Sequence, residues 1–305
     1  MSHLPGGMFP AFLTPLDADR RVNRTVAEQL FLHLMGTGMD GVYLAGTTGE
    51  GMRLPVSERK ALLETVKPLA PAGKHVFVHV GAPTLHDTLE LAEHAAHHGA
   101  DAISSLPPQG DAAAIQHFYE TVAAASPLPL ILYYFPKAAP HAFPDTARLL
   151  DLLAVPNIAG VKFTDFNTHL LHTLVERGAT VYNGYDEALA CGLLMGADGG
   201  IGSTYNVMPE LYLGIHNAAK QGAWETARQL QFRANRVIDT MLRYPFFPAL
   251  RAVMEERGFA LGPMLSGEAF TGSQDRSDFL TQIRVPLYEA TNAPSQIARW
   301  VQNAR

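Results

Sequence analysis

Lys162 lies in an apolar run, Asn157-Ile158-Ala159-Gly160-Val161-Lys162-Phe163-Thr164-Asp165, that reads as a short buried strand. Desolvating an unpaired ammonium costs roughly several kcal/mol or more, so a lysine in such a place calls for a reason. An amine stripped of water favours its neutral form, and a neutral amine can attack a ketone. A strand-end lysine can also snorkel to water or pair with Asp165, so the chemistry depends on the company Lys162 keeps. Thr47 and Thr48 set two hydroxyls beside the turn Gly49-Glu50, where hydroxyl and backbone N–H donors could hold a carboxylate without a cation. Tyr133 brings a phenol that can give or accept a proton. Thr164 follows Lys162 by two residues and so shares its face of the strand. Gly184-Tyr185-Asp186-Glu187 and Gly202-Ser203-Thr204 add two carboxylates and further hydroxyls. Plainer readings exist for each: a simple turn, a core aromatic, a helix cap at Asp186. Taken together the groups describe one reaction. The amine condenses with a 2-oxo acid, the protonated imine draws electrons from a breaking carbon–carbon bond, and the phenol handles the proton of the departing oxygen.

These groups need a scaffold that brings strand ends to one rim. Eight short apolar runs begin near Gly7, Gly41, His75, Ala102, Leu130, Ile158, Thr180 and Gly199. Helical spacing separates them, over residues 23–37, 57–70 (with Ser57 as N-cap), 84–98, 112–125, 144–153, 168–176, 187–195 and 208–220. Alternation at this spacing predicts a parallel sheet, and eight units fit an α/β fold of the closed (β/α)8, or TIM, barrel type over residues 1–222. Continuous apolar runs suit strands buried on both faces. From residue 223 to 305 only helices are expected, over 224–242, 247–257 and 295–302, packed on the barrel as a C-terminal helical extension. In such a barrel, chemistry belongs at the C-terminal ends of the strands, which is where the polar stretches lie.

The 305 residues carry a net charge of −6 without a long run of either sign, which argues against a nucleic-acid or anionic-membrane surface. No apolar stretch is long enough to span a membrane and no secretory signal is evident, so a cytoplasmic protein is expected. The single cysteine, Cys191, excludes an intramolecular disulfide and any CxxC site; it is expected buried and inert. His94, His97 and His98 lie at helical spacing, but on an amphipathic helix a solvated outer face is favoured over a metal site. No nucleotide-binding glycine motif is present.

Three of these stretches resemble the dihydrodipicolinate synthase/N-acetylneuraminate lyase family: Gly46-Thr47-Thr48-Gly49-Glu50, Leu132-Tyr133-Tyr134-Phe135-Pro136 and Gly160-Val161-Lys162-Phe163-Thr164. The runs Tyr182-Asn183-Gly184-Tyr185-Asp186-Glu187 and Gly196 to Asn206 look like the N-acetylneuraminate lyase branch. The resemblance implies Lys162 as the Schiff-base residue and Tyr133 as the acid/base. It implies Thr47 and Thr48 at the pyruvate carboxylate, and Thr164, Gly184, Asp186, Glu187 and Ser203 at a sugar-like tail. It further implies no cofactor beyond the covalent imine, no metal, a small-molecule 2-oxo acid as the only ligand, and a homotetramer built as a dimer of dimers. The lysine-biosynthesis branch normally has an arginine shortly after the strand-five proline; here Pro136-Lys137-Ala138-Ala139-Pro140 lacks it, which disfavours that branch. The family often supplies a tyrosine after strand four, whereas Leu106-Pro107-Pro108-Gln109-Gly110-Asp111 has no aromatic. A 2-keto-3-deoxy sugar acid, cleaved or dehydrated, therefore stands beside N-acetylneuraminate as substrate, with a non-catalytic sugar-acid-binding barrel as the reading from another class.

Overall fold

A computed structural model describes residues 4–291. Eight strands form one sheet: β1 (Gly7–Pro10), β2 (Gly41–Leu44), β3 (His75–His79), β4 (Ala102–Ser105), β5 (Leu130–Tyr134), β6 (Ile158–Phe163), β7 (Thr180–Asn183) and β8 (Gly199–Gly202). All pairings are parallel, in the order β1-β8-β7-β6-β5-β4-β3-β2. The ring closes between its ends through the Ala11–Tyr43 bridge and the Phe12 N–H donating to Tyr43 O at 2.9 Å. The expected (β/α)8 barrel is the fold.

Eight helices alternate with the strands: α1 (Arg24–Gly36), α2 (Val56–Val66), α3 (Leu85–His97), α4 (Ala112–Ala125), α5 (Thr146–Leu153), α6 (Thr168–Glu176), α7 (Leu189–Leu194) and α8 (Pro209–Lys220). Side-chain oxygens of Asn23, Thr84, Asp111, Asp145 and Asn167 accept from backbone N–H groups of the first turns of α1, α3, α4, α5 and α6, which fixes where each helix begins. The expected cap at Ser57 is not used; α2 starts at Val56 after Pro55, whose fixed φ prepares the entry and leaves Ser57 within the first turn.

After the barrel come α9 (Trp224–Met241), α10 (Phe246–Glu256) and α11 (Ser273–Thr291). The third was not expected from the sequence. Pro286 sits inside it and removes one helical hydrogen bond, yet Phe279, Ile283, Leu287 and Ala290 bury one face. The helix expected over 295–302 lies outside the described residues. Among the described residues, no helix is long and apolar enough to cross a membrane.

The apolar core has two parts. The larger lies between strands and helices; the smaller fills the barrel with Leu4, Phe9, Ala11, Tyr43, Phe77, Ala102, Ile131, Ala159, Tyr182 and Ile201. Strand alternation puts successive inward residues one above another, so β5 stacks Tyr133 above Ile131 and β6 stacks Lys162 above Gly160. Leu4 closes the lower end, helped by the Tyr182 hydroxyl donating to Pro5 O at 2.7 Å. The upper end stays open and polar.

Candidate active site

Lys162 is buried, the uppermost inward residue of β6, and registers with Tyr133 on β5 and Tyr182 on β7. Its Nζ stands 4.0 Å from the Tyr133 ring centroid and 4.8 Å from that of Tyr43. Asp165 does not serve as a strand-end partner for the lysine; its carboxylate accepts from the Tyr134 hydroxyl at 3.3 Å and from the Phe166 N–H at 2.7 Å. Burial and that neighbouring carboxylate push the Tyr134 hydroxyl up to about 12.

Beneath the amine, Tyr43, His79 and Tyr133 meet edge to face, with centroids 6.3 to 6.4 Å apart. Tyr43 donates to Ser104 Oγ at 3.0 Å, and burial, then Tyr133, pushes its hydroxyl far above the ordinary phenol value. His79 accepts the Leu106 N–H at 3.1 Å on Nε2. Burial, followed by the Arg59 cation, pushes His79 well below the usual imidazole value. Both rings therefore stay neutral and give the amine an aromatic floor without a counter-charge. Arg59, itself buried, reaches from α2 to donate to the carbonyls of Gly81 and His79, pinning the top of β3.

The turn after β2 is held in an unusual backbone conformation. Ala45 and Glu50 both have φ of +54°, a left-handed region that side chains seldom occupy without support. That support is visible: Thr14 Oγ1 donates to Gly49 O at 2.8 Å, and the Glu50 carboxylate accepts from the backbone N–H groups of Leu265 and Ser266 at 3.0 and 2.7 Å. Thr48 is thereby buried with its hydroxyl 2.7 Å from Ser203 Oγ, while Thr47 stays exposed to the cavity.

Two glycines bring the far wall close. A Cβ on Gly184 would collide with Thr164 Oγ1, and one on Gly202 would collide with Asp186 Oδ1. Thr164 Oγ1 is buried without a hydrogen-bond partner, an arrangement that a bound polar group would complete. Asp186 does not cap the turn that follows it. Its Oδ2 accepts from the Thr204 N–H at 2.7 Å and the Thr204 hydroxyl at 2.6 Å, and that hydroxyl continues to Tyr212 at 2.5 Å. All nine residues singled out in the sequence line one cavity: Thr47, Thr48, Tyr133, Lys162, Thr164, Gly184, Asp186, Glu187 and Ser203.

The same cavity includes residues beyond those nine. Phe135, Tyr185 and Thr204 line it from the barrel rim; Ile238 from α9, Leu242 just after it, and Phe246 and Phe247 from α10 form an apolar wall opposite. Gln231 and Asn235, one turn apart on α9, donate to the carbonyls of Asp186 and Glu187 at 3.0 and 3.1 Å, and Gln231 accepts the Ala190 N–H at 2.9 Å. The C-terminal helices thus do more than cover the barrel: they set the carboxylate segment in place. Cys191 lies just beyond that segment and is exposed, contrary to expectation. In the six-residue α7 the inward positions belong to Leu189, Gly192 and Leu193, which turns Cys191 outward.

Burial pushes the Asp186 carboxyl up to about 6, with Glu187 adding to the rise and the two Thr204 bonds and Lys162 opposing it. Folding then favours the protonated form. This contribution to stability is full below the ordinary aspartate value and is lost as pH rises to about 6, an effect of about 3 kcal/mol. Asp186→Asn should remove that slope, so its unfolding free energy in urea should decline less than the parent's between about pH 4 and pH 6. An unchanged slope would assign the titration to another group.

The chain matches the dihydrodipicolinate synthetase family over residues 4–273. It belongs to that family. Among members, it is 36% identical over 263 residues to the N-acetylneuraminate lyase of Rhizobium meliloti, covering 84% of this chain and 87% of the relative. To the Escherichia coli strain SMS-3-5 N-acetylneuraminate lyase it is 33% identical over 254 residues, 81% and 85% of the two chains. The solved Ruminococcus gnavus sialic acid aldolase superposes with a TM-score of 0.88 at 27% identity, covering 94% of this chain and 98% of that one. The same aldolase has been solved as a catalytic lysine mutant.

Proposed function

We propose that this chain is a class I aldolase of the carbon–carbon lyase type, cleaving a sialic-acid-like 2-oxo sugar acid to pyruvate and an aldehyde. N-acetylneuraminate ranks first, with N-acetylmannosamine as the aldehyde. The observation that carries the reading is the buried Lys162 amine packed against the Tyr133 ring inside a cavity walled by hydroxyls and carboxylates. The named relatives that act on sialic acid support it.

In this reading the Lys162 amine adds to the substrate C2 carbonyl, and Tyr133 gives its proton to the hydroxyl that leaves as water. The resulting tyrosinate takes the proton of the C4 hydroxyl. The C3–C4 bond breaks, its electrons pass to the iminium nitrogen, and the aldehyde departs. Tyr133 then returns the proton to C3 of the enamine, and water releases pyruvate from Lys162. Thr47, Thr48 and their turn hold the carboxylate. Thr164, Gly184, Glu187, Ser203 and the open edge of Asp186 meet the tail hydroxyls. No cofactor is needed, since the imine itself is the electron sink. A cytoplasmic homotetramer, as the resemblance implies, completes the proposal.

One observation favours a second reading. The loop after β4 has no aromatic; its Leu106 N–H is spent on His79 and its Pro108 carbonyl faces His141 Nε2 at 3.1 Å. A 2-keto-3-deoxy sugar acid, cleaved or dehydrated, is the substrate class consistent with that change. Product analysis separates the cases. Pyruvate released from N-acetylneuraminate at a rate well above that from 2-keto-3-deoxygluconate supports the first reading. Pyruvate from the second sugar alone, or loss of water without pyruvate, replaces it.

A further inference from the structure

The histidines of α3 acquire a partner that helical spacing could not show. His94 and His98 stack with ring centroids 4.1 Å apart and planes inclined by 28°. Glu64 reaches over from α2 and places Oε1 3.1 Å from His94 Nε2. One ligand atom from each of Glu64, His94 and His98 lies within 4.8 Å of the other two. We propose that these three residues form a site for a borderline-soft divalent transition ion of the Zn²⁺ class, joining α2 to α3 on the outer wall of the barrel.

The geometry suits the ion. Ligand atoms about 2.0–2.1 Å from a tetrahedral zinc are roughly 3.3 Å from each other. The His94–Glu64 pair already has that spacing, and a ligand atom of His98, one helical turn on, lies within 4.8 Å of both. Two imidazoles and one carboxylate are a donor set that zinc shares with other late first-row ions, whereas calcium and magnesium prefer oxygen alone. Water completes the coordination from the solvent side.

Two cations face the cluster. Lys60 is engaged by Glu90 at 2.6 Å, and Arg24 meets the second oxygen of Glu64 at 3.5 Å, where it steadies the carboxylate as an outer partner. A neighbouring trio, His86, Asp87 and Glu90, is also compact. It is the weaker site, because Glu90 already holds Lys60, and it offers one imidazole that is 88% exposed.

A Co²⁺ titration of the full-length, tag-free protein, read by visible ligand-field absorption, tests the site. The parent should bind one ion per chain saturably, with tetrahedral-type bands that Zn²⁺ displaces. His98→Ala and Glu64→Gln should each weaken binding roughly tenfold or more. His97→Ala and His86→Ala should bind as the parent does. Circular dichroism melts of every variant identify any that fails to fold, and the remaining site variant then decides. No saturable binding in the parent, undiminished binding in the folded site variants, or loss of binding in a control overturns the proposal.

Discussion

Lys162→Ala should abolish pyruvate release, by roughly 10⁴-fold or more, and should leave no adduct after incubation with pyruvate and borohydride. The parent should gain a pyruvyl-sized mass at Lys162 under the same conditions. An effect of this size is expected because the amine supplies the electron sink itself. Without an iminium nitrogen, the electrons of the breaking bond have no acceptor in a cavity otherwise built of hydroxyls, carboxylates and apolar side chains. The same variant should not lose stability. The amine is buried over two aromatic rings, and its desolvation is a cost the fold bears for function. Removing it should leave the thermal midpoint equal to or above the parent's. A variant that retains activity, or a parent that traps no pyruvate, would eliminate the imine mechanism and bring forward a barrel that binds sugar acids without turning them over.

Tyr133→Phe removes the proton-transfer group while leaving the ring in place. The ring would stay against Lys162, stacked on Phe135 at 6.0 Å and 11°, so packing and the position of the amine are retained. Only the oxygen goes. We expect kcat for cleavage to drop by roughly 10²–10⁴ with little change in KM, the pattern of a group acting in the transition state. Borohydride should still trap pyruvate, though more slowly. Full cleavage activity in the phenylalanine variant would move the proton transfer to another group. Tyr43, neutral and committed to Ser104, is poorly suited to replace it.

Much of this architecture could be read from residue order, for a physical reason. A parallel barrel writes each strand as a continuous apolar run, and the period of two carries Lys162 and Thr164 to one side without reference to any other part of the chain. The Thr47-Thr48 turn and the Gly184 segment are similarly local. Thr204 was not legible as the partner of Asp186, because the bond joins the rims of two strands and depends on how the barrel closes. Gln231 and Asn235 were hidden for a related reason. On the amphipathic α9 they resemble other polar surface residues, and only docking against the 186–190 segment gives their amides a task. Leu242 and Phe247 could equally have been core. The outward turn of Cys191 and the continuation of α11 past Pro286 likewise follow from which face finds a neighbour, not from local preference.

The Glu50 carboxylate secures the turn after β2 to the backbone of Leu265 and Ser266, 215 and 216 residues later in the chain. A growing polypeptide therefore cannot finish that turn when the barrel strands have been made. With the eighth strand complete at Gly202, the strained turn after β2 still lacks its anchor. Only when the segment after α10 has also been made can that anchor form. A chain that stops short of that segment keeps Lys162 on β6 but lacks the anchor of the Thr47-Thr48 turn.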